Sequence, residues 1–345
     1  MSAGDGAGDW GFAYGGAPAR GRIRVAAEDF FVEERLDFVP SGDGEHAFVY
    51  LEKRDANSDW VAGRLAALAG VPRRDVGFAG RKDRHAVTRQ WFSIGLAGRA
   101  EPDWTQLAGE GITLLEATRN ARKLRRGALA GNRFVIRVRE VDGDPGALTA
   151  LLQRLAAEGM PNLFGLQRFG RDGANLEGAR RLLTDPRCRV DRQRRELFLS
   201  AARSLLFNRV LDRRLADGSW NRALPGDALM LDGRHSFFVA EALDATLEQR
   251  VATLELHPSG PLCGRGGSPA QGPARAHEEA ALPDCAEWQA GLERLGVDAA
   301  RRALRVRVAE LDWARDGATW QLAFALPAGS FATVLLRELF AGEGL

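Results

Sequence analysis

The sequence Gly77-Phe78-Ala79-Gly80-Arg81-Lys82-Asp83-Arg84-His85-Ala86-Val87-Thr88-Arg89-Gln90-Trp91-Phe92-Ser93-Ile94 sets two glycines, a polar cluster with a single carboxylate, and an apolar run in that order. Glycine permits a tight or positive-φ backbone, and the β-branched and aromatic residues that follow favour a strand. The order predicts a loop that presents Asp83 at the entrance of a strand. Arg81, Lys82, Arg84 and His85 flank Asp83, and nearby cations favour an ionised carboxylate. A carboxylate kept ionised can act as a nucleophile. Sequence neighbours on a strand point apart, so Lys82 need not be its partner, and a distant Arg or Lys is the alternative.

Working upstream, His46–Lys53 has strand character, and Asn57 or Ser58 can cap a helix with Val61, Leu65 and Leu68 on one face. Gly70 and Pro72 end that helix, which delivers the chain to the Asp83 loop. Gly21–Glu34 reads as a short strand, a turn and a second strand, with Phe30 and Phe31 facing opposite ways. The first stretch, to about Pro18, is Gly-rich and is expected to be loosely packed. Its Gly6-x-Gly8-x-x-Gly11 matches a dinucleotide-binding pattern, but no strand precedes it and no helix follows, so it is set aside.

Downstream, Ile112–Thr118 reads as a strand running into Arg119–Gly127, the strongest basic cluster. The cluster is either a solvated loop or a phosphate-binding arm, because Arg-rich loops neutralise nucleic-acid backbone charge. Gly131–Arg139 follows as a strand with alternating apolar and Arg positions, and a cationic loop feeding a sheet suits an RNA-binding cleft. A helix with Leu148, Leu151, Leu152 and Leu155 on one face ends at Gly159, before Pro161. Pro161–Gly170 then mixes aromatics with glycine, amide and guanidinium groups. It reads either as a turn-rich wall with stacking faces or as a turn with two buried Phe.

From Asn175 to Leu304 the pattern is mostly helical, with one helix capped near Ser200, carrying Leu205, Leu206 and Val210, and stopped by Gly218. His257–Gly267 is Gly/Pro-rich, lacks the Lys-Ser/Thr of a phosphate-cradling loop, and reads as a flexible loop. Arg305–Leu311 and Thr319–Leu326 read as a hairpin turning at Asp316-Gly317, before a last helix capped by Ser330. The return of strand character predicts a discontinuous domain of residues 1–158 and 305–345, with residues 159–304 inserted.

The 345 residues suffice for two domains, and the net charge of +2 is slight although the basic residues cluster. Of 48 Lys and Arg only Lys53, Lys82 and Lys123 are lysine, so Lys82 is expected where a compact ammonium fits and a planar guanidinium does not. Cys188, Cys263 and Cys285 lie far apart, which argues against a disulfide framework or a zinc site. No secretory leader pattern and no bilayer-length apolar run is seen, so a cytoplasmic protein is expected.

Four stretches carry a resemblance that covers almost the whole chain: Gly80-x-Lys82-Asp83-x-x-Ala86-x-Thr88-x-Gln90, Asn162-x-Phe164-Gly165-x-Gln167-Arg168-Phe169-Gly170, Ser200-Ala201-Ala202-Arg203-Ser204-Leu205-Leu206-Phe207-Asn208, and Pro327-Ala328-Gly329-Ser330-Phe331-Ala332-Thr333. In type and order they resemble the TruD family of tRNA pseudouridine synthases. The resemblance implies an α+β fold, a curved, mixed and largely antiparallel sheet flanked by helices, with an inserted, mostly helical TRUD domain. It implies isomerisation of a tRNA uridine, at position 13 in the D-arm region, without metal or organic cofactor.

By position in the motifs, Asp83 would be the catalytic residue, and Phe30, Asn132, Phe134 and Phe331 would line the uridine pocket. Arg24, Lys82, Arg122, Lys123, Arg125, Gln167 and Arg168 would bind RNA or support the site. Arg24 is a departure, since a Lys is expected there. The partner implied is tRNA, with no membrane and no protein partner, and a monomer is expected. Two other readings are an RNA-binding protein without chemistry and a glycosidic hydrolase, which would need a second carboxylate from Glu28 or Asp29.

Overall fold

In the computed structural model, which describes residue 8 and residues 10–96 and 98–342, the chain forms two compact units. One comprises Ala19–Asp144, Ala309–Gly329 and Phe340–Leu345; the other Met1–Pro18, Pro145–Val308 and Ser330–Leu339. In the first, β1 (Ala19–Arg22) leads to β2 (Phe30–Arg35) and β3 (His46–Arg54). Helix α1 (Ser58–Leu68) follows, with Asn57 Oδ1 accepting the Trp60 N–H at 2.7 Å as its N-cap. Then come β4 (Val76–Phe78), β5 (Val87–Gly95), β6 (Ile112–Asn120) and β7 (Gly131–Gly143). The Asp83 loop is the connection from β4 to β5, as its sequence predicts.

In the second unit the chain runs through α2 (Pro145–Glu158), β8 (Met160–Pro161), α3 (Ala174–Thr184), α4 (Arg192–Ala216), β9 (Asp227–Leu231), β10 (Phe237–Ala240), α5 (Ala245–Ala252), β11 (Leu256–Leu262), α6 (Gly272–Ala280), α7 (Ala286–Arg294), β12 (Ala300–Ala303) and β13 (Arg305–Val306). It re-enters the first unit as the hairpin β14 (Ala309–Asp316) and β15 (Thr319–Pro327), forms α8 (Ala332–Leu339) in the second, and ends on β16 (Phe340–Ala341).

Ten strands of the first unit make one sheet, in the order β14-β15-β7-β2-β5-β3-β6, with β1 pairing β7 and β16 and β4 pairing β5. All pairs are antiparallel except β2 with β5 and β1 with β16. The register places Phe324, Phe134, Val32, Thr88 and Lys53 in one row across β15, β7, β2, β5 and β3. Toward one edge the same face carries Val49, Leu51, Phe92 and Ile94, on which α1 buries Val61, Ala62 and Leu65. Each of these Val, Leu, Ile and Phe side chains contributes about 1.5–3 kcal/mol.

In the second unit the helices surround a four-stranded antiparallel sheet, β10-β9-β11-β12, which the helical reading of residues 175–304 misses. Of the expected flexible loop His257–Gly267, the part to Leu262 is β11, buried from Leu256 to Pro261. A strand buried on both faces shows no alternation, and Pro258 and Pro261 disguise it; Pro258 still takes part, its carbonyl accepting the Leu304 N–H at 2.8 Å. Helix α4 starts earlier than expected, because Asp191 rather than Ser200 caps it, accepting the Arg194 N–H at 2.9 Å. Arg305-Val306 pairs with β8, so the hairpin begins at Ala309.

Residues 10–18 are not loose. Trp10 is buried, Tyr14 Oη donates to the Gly159 carbonyl at 2.6 Å, and Tyr14 meets Trp220 edge-on. The Gly6-x-Gly8-x-x-Gly11 pattern lies partly outside the described residues. The division by compactness falls at 144/145 and 308/309 rather than at 158/159 and 304/305, because α2 packs with α8. The three cysteines are free thiols. Among the described residues no helix is long and apolar enough to cross a membrane.

Candidate active site

The Asp83 loop is short of regular structure but is clamped at several points. Ser58 Oγ donates to Gln90 Oε1 at 2.6 Å and accepts the Lys82 N–H at 3.0 Å, while Gln90 Nε2 donates to the Gly80 carbonyl at 3.2 Å. The first residue of α1 and the middle of β5 thus fix the backbone on either side of Asp83. At Gly77 the reason for glycine is approach rather than a positive φ, since the Leu124 carbonyl occupies the space a Cβ would need.

The carboxylate finds its partner 59 residues away: Arg24 Nη2 donates to Asp83 Oδ2 at 3.1 Å. The same guanidinium lies over the Phe30 ring, 4.2 Å from its centroid. Phe30 meets Phe134 edge-on at 6.4 Å, and Phe134 stacks on Phe324 at 5.2 Å. Arg24 adopts φ 58°, in the left-handed region that side chains other than glycine rarely occupy. Such a conformation costs about 1–3 kcal/mol and persists only where the surroundings hold it. The Asp83 side chain is 48% exposed, so one oxygen is tethered while the carboxylate stays accessible.

Lys82 turns away from Asp83. Its Nζ donates to Glu34 Oε2 at 2.5 Å, both side chains being buried, and Glu34 also accepts the Trp91 N–H at 3.4 Å. Burial pushes the Glu34 carboxyl up from the usual carboxylate range, and the Lys82 ammonium opposes this. Glu34 is the register partner of Asn132 on β7, whose Oδ1 is buried with no hydrogen-bond partner among the described residues; Thr88 Oγ1 is likewise unpartnered. Lys53 is wholly buried and donates to the Ala56 carbonyl at 2.5 Å and the Asp83 carbonyl at 3.4 Å. Burial, then repulsion from Lys82, push its ammonium down to about 8, against the attraction of Asp83.

The basic arm is anchored rather than free. Leu124 is buried, its N–H donating to Ser93 Oγ at 2.9 Å, and the Gly127 N–H donates to the Ala79 carbonyl at 2.9 Å, at the start of the Asp83 loop. Lys123 Nζ is given to the Arg74 carbonyl, leaving Arg122 and Arg125 exposed on the arm. Asp29, offered by sequence as a second carboxylate, is buried and held by Arg139 at 2.7–3.0 Å and by the Ala26 N–H at 2.9 Å. Burial raises its carboxyl, yet these bonds hold it below the usual range. Glu28 pairs with Arg54.

Phe331, Gln167 and Arg168 belong to the other unit. There the Arg168 guanidinium lies 5.4 Å from the Phe164 centroid and 5.9 Å from that of Phe331, and donates to Ser200 Oγ at 3.2 Å; Gln167 is exposed. Burial pushes Arg168 down from the ordinary guanidinium range. Arg302 covers the Phe164 ring at 4.0 Å. The structure therefore gathers Asp83, Arg24, Phe30 and Phe134 into one cluster, with Lys82 and Asn132 joined through Glu34. Sequence reasoning passed over Glu34, Ser58 and Lys53. Only a buried carboxylate in an alternating strand and the rarity of lysine could have signalled them.

A crystal structure of a protein assigned as tRNA pseudouridine synthase D from Methanosarcina mazei has the same fold at TM-score 0.73 and 21% identity, covering 99% of this chain and 98% of that one. The architecture is thus that of a pseudouridine synthase fold. The family model of tRNA pseudouridine synthase D matches residues 10–185 and 185–339. The tRNA pseudouridine synthase D of Methylococcus capsulatus is 53% identical over 95% of this chain and 93% of its own length. That of Nitrosococcus oceani is 48% identical over 97% and 95%. The chain belongs to the tRNA pseudouridine synthase D family.

Proposed function

We propose that the protein isomerises uridine to pseudouridine in tRNA, at position 13 of the D-arm region, with Asp83 as the catalytic residue. The family membership supports the reaction. The observation that carries the residue assignment is the accessible Asp83 carboxylate, tethered through one oxygen to Arg24 beside buried aromatic rings. The reaction breaks the bond from uracil N1 to the ribose, turns the freed base and joins its C5 to the same sugar carbon, with loss of the C5 hydrogen. An ionised carboxylate can begin it by attack or by proton abstraction. The target base must leave its stack, at a cost of a few kcal/mol that aromatic and cationic contacts offset.

In this reading Phe30 and Phe134 contribute faces or edges of the uridine pocket. Asn132 Oδ1, buried without a partner among the described residues, accepts from uracil N3–H. Lys82 and Glu34 hold the loop from below, and Arg122 and Arg125 meet phosphates. Residues 159–304 are the family's inserted domain, the protein works as a cytoplasmic monomer, and the residues call for neither metal nor organic cofactor. The fixed pairing of Asp29 with Arg139 disfavours a two-carboxylate hydrolase.

The test uses a tRNA transcript tritiated at uracil C5. Wild type should release tritium and leave pseudouridine in the digest, and Asp83→Asn should fall by at least ~10³-fold while still binding tRNA. Equal release by both proteins would remove Asp83 from the chemistry. Binding without release by wild type would favour the non-catalytic reading.

A further inference from the structure

Beside the Asp83 loop, within the sheet unit, lies an open groove of about 640 Å³ walled by Trp60, Arg64 and Arg84. Trp60 projects from the first turn of α1 and is 39% exposed, on a helix face whose neighbours Asp59 and Arg64 are charged. The Arg64 guanidinium sits over its ring at 5.9 Å and pairs with Glu110 at 3.5 Å, so this wall carries both charges. Arg84 follows Asp83 directly, is exposed, and its guanidinium has no hydrogen bond or ion pair among the described residues.

The groove is coupled to the catalytic loop through its lining. Lys53 joins the carbonyl of Ala56, a residue that lines the groove, to the Asp83 carbonyl, and the Asp55 N–H donates to the Ala86 carbonyl at 3.3 Å. An aromatic face serves any base by stacking, an unpaired arginine serves a phosphate, and Asn57 offers an amide edge between them. Asp55 and Glu110 also line the groove, and their charge repels a run of phosphates. That limits the occupant to one nucleotide.

Resting on the reading of this protein as an RNA uridine isomerase, we infer that the groove holds one nucleotide flanking the reacting uridine, its base stacked on Trp60 and its phosphate on Arg84. It is a binding subsite that tolerates any base, because stacking reads the ring face and not its edge. It steadies the strand next to the extruded uridine.

The test measures KM, kcat and Kd for wild type, Trp60→Ala, Trp60→Phe and Arg84→Ala on intact tRNA and on transcripts with one abasic residue at each position flanking the target. Trp60→Ala should raise KM and Kd about tenfold with kcat nearly unchanged, and Trp60→Phe should recover most of the loss. One abasic position should weaken wild type about as much and leave Trp60→Ala unaffected. Arg84→Ala should lower the salt slope of binding by about one. An unchanged KM in Trp60→Ala, or abasic losses equal in both proteins, would overturn the proposal. If wild type binds tRNA but releases no tritium, the isomerase reading fails, and the Kd pattern alone still decides the subsite. Absence of tRNA binding would end both.

Discussion

The two units bury their cations differently. Around the Asp83 loop they are lysines with few acceptors: Lys53 meets two carbonyls and Lys82 one carboxylate. In the other unit they are arginines held by many. Arg214 serves Asp227 and the carbonyls of Ser219 and Arg222, and Arg305 serves His257 and the carbonyls of Asn221, Val251 and Leu256. A planar fork that fills several carbonyls ties distant segments together. A compact ammonium answers to one or two acceptors, and burial pushes that of Lys53 down. Of these cations Lys53 stands next to the candidate chemistry, donating to the Asp83 carbonyl with its ammonium pushed down to about 8.

The largest expected break in that contrast is Lys82→Ala, which strands Glu34 without its cation and should cost about 3–5 kcal/mol in urea denaturation. Adding Glu34→Gln should recover much of it. Next is pH. Lys53, pushed down to about 8, is charged in folded and unfolded chains alike below that pH. Above it, up to the ordinary lysine range, the unfolded chain holds more protons, so this group's contribution to stability grows as pH rises. Wild type should gain roughly 3 kcal/mol on Lys53→Met between pH 7.5 and 10.5. A flat difference across that range would mean that the Lys53 ammonium is not pushed down in the folded chain.

Arg214→Lys should cost about 1–3 kcal/mol, because the Ser219 and Arg222 carbonyls lose donors while Asp227 keeps a cation. The smallest effect belongs to Arg24→Lys. Its pair with Asp83 is partly exposed, at 27% and 48% for the two side chains, so stability should move by less than ~1 kcal/mol and tritium release by a few-fold at most. A large loss there would mean that the guanidinium over Phe30 matters beyond its charge.

Local signals carried much of this architecture. The cap at Asn57, the Leu148–Leu155 stripe and the Asp316-Gly317 turn stand where their chemistry puts them, because each depends on residues a few positions apart. The β9–β12 sheet did not show itself, since its strands are short, β11 is buried on both faces, and proline interrupts it. At the candidate site Asp83 and its loop were legible from one stretch. Its partner was not, because Arg24 is joined to it only by the pairing of strands. All three lysines hold defined acceptors, whereas the basic cluster around Lys123 read in sequence either as a solvated loop or as a phosphate-binding arm.

The sheet has one further consequence, for synthesis. β7 lies between β2 and β15, so during translation its stretch Gly131–Val138 lacks one neighbour until the hairpin after residue 308 emerges. At about 5–20 residues per second the intervening 145–308 segment keeps that edge open for many seconds. A message cut short in that interval would release a chain with a long unpaired strand, the kind of edge that recruits other chains. The last forty residues therefore guard the newborn protein against aggregation as well as completing its fold.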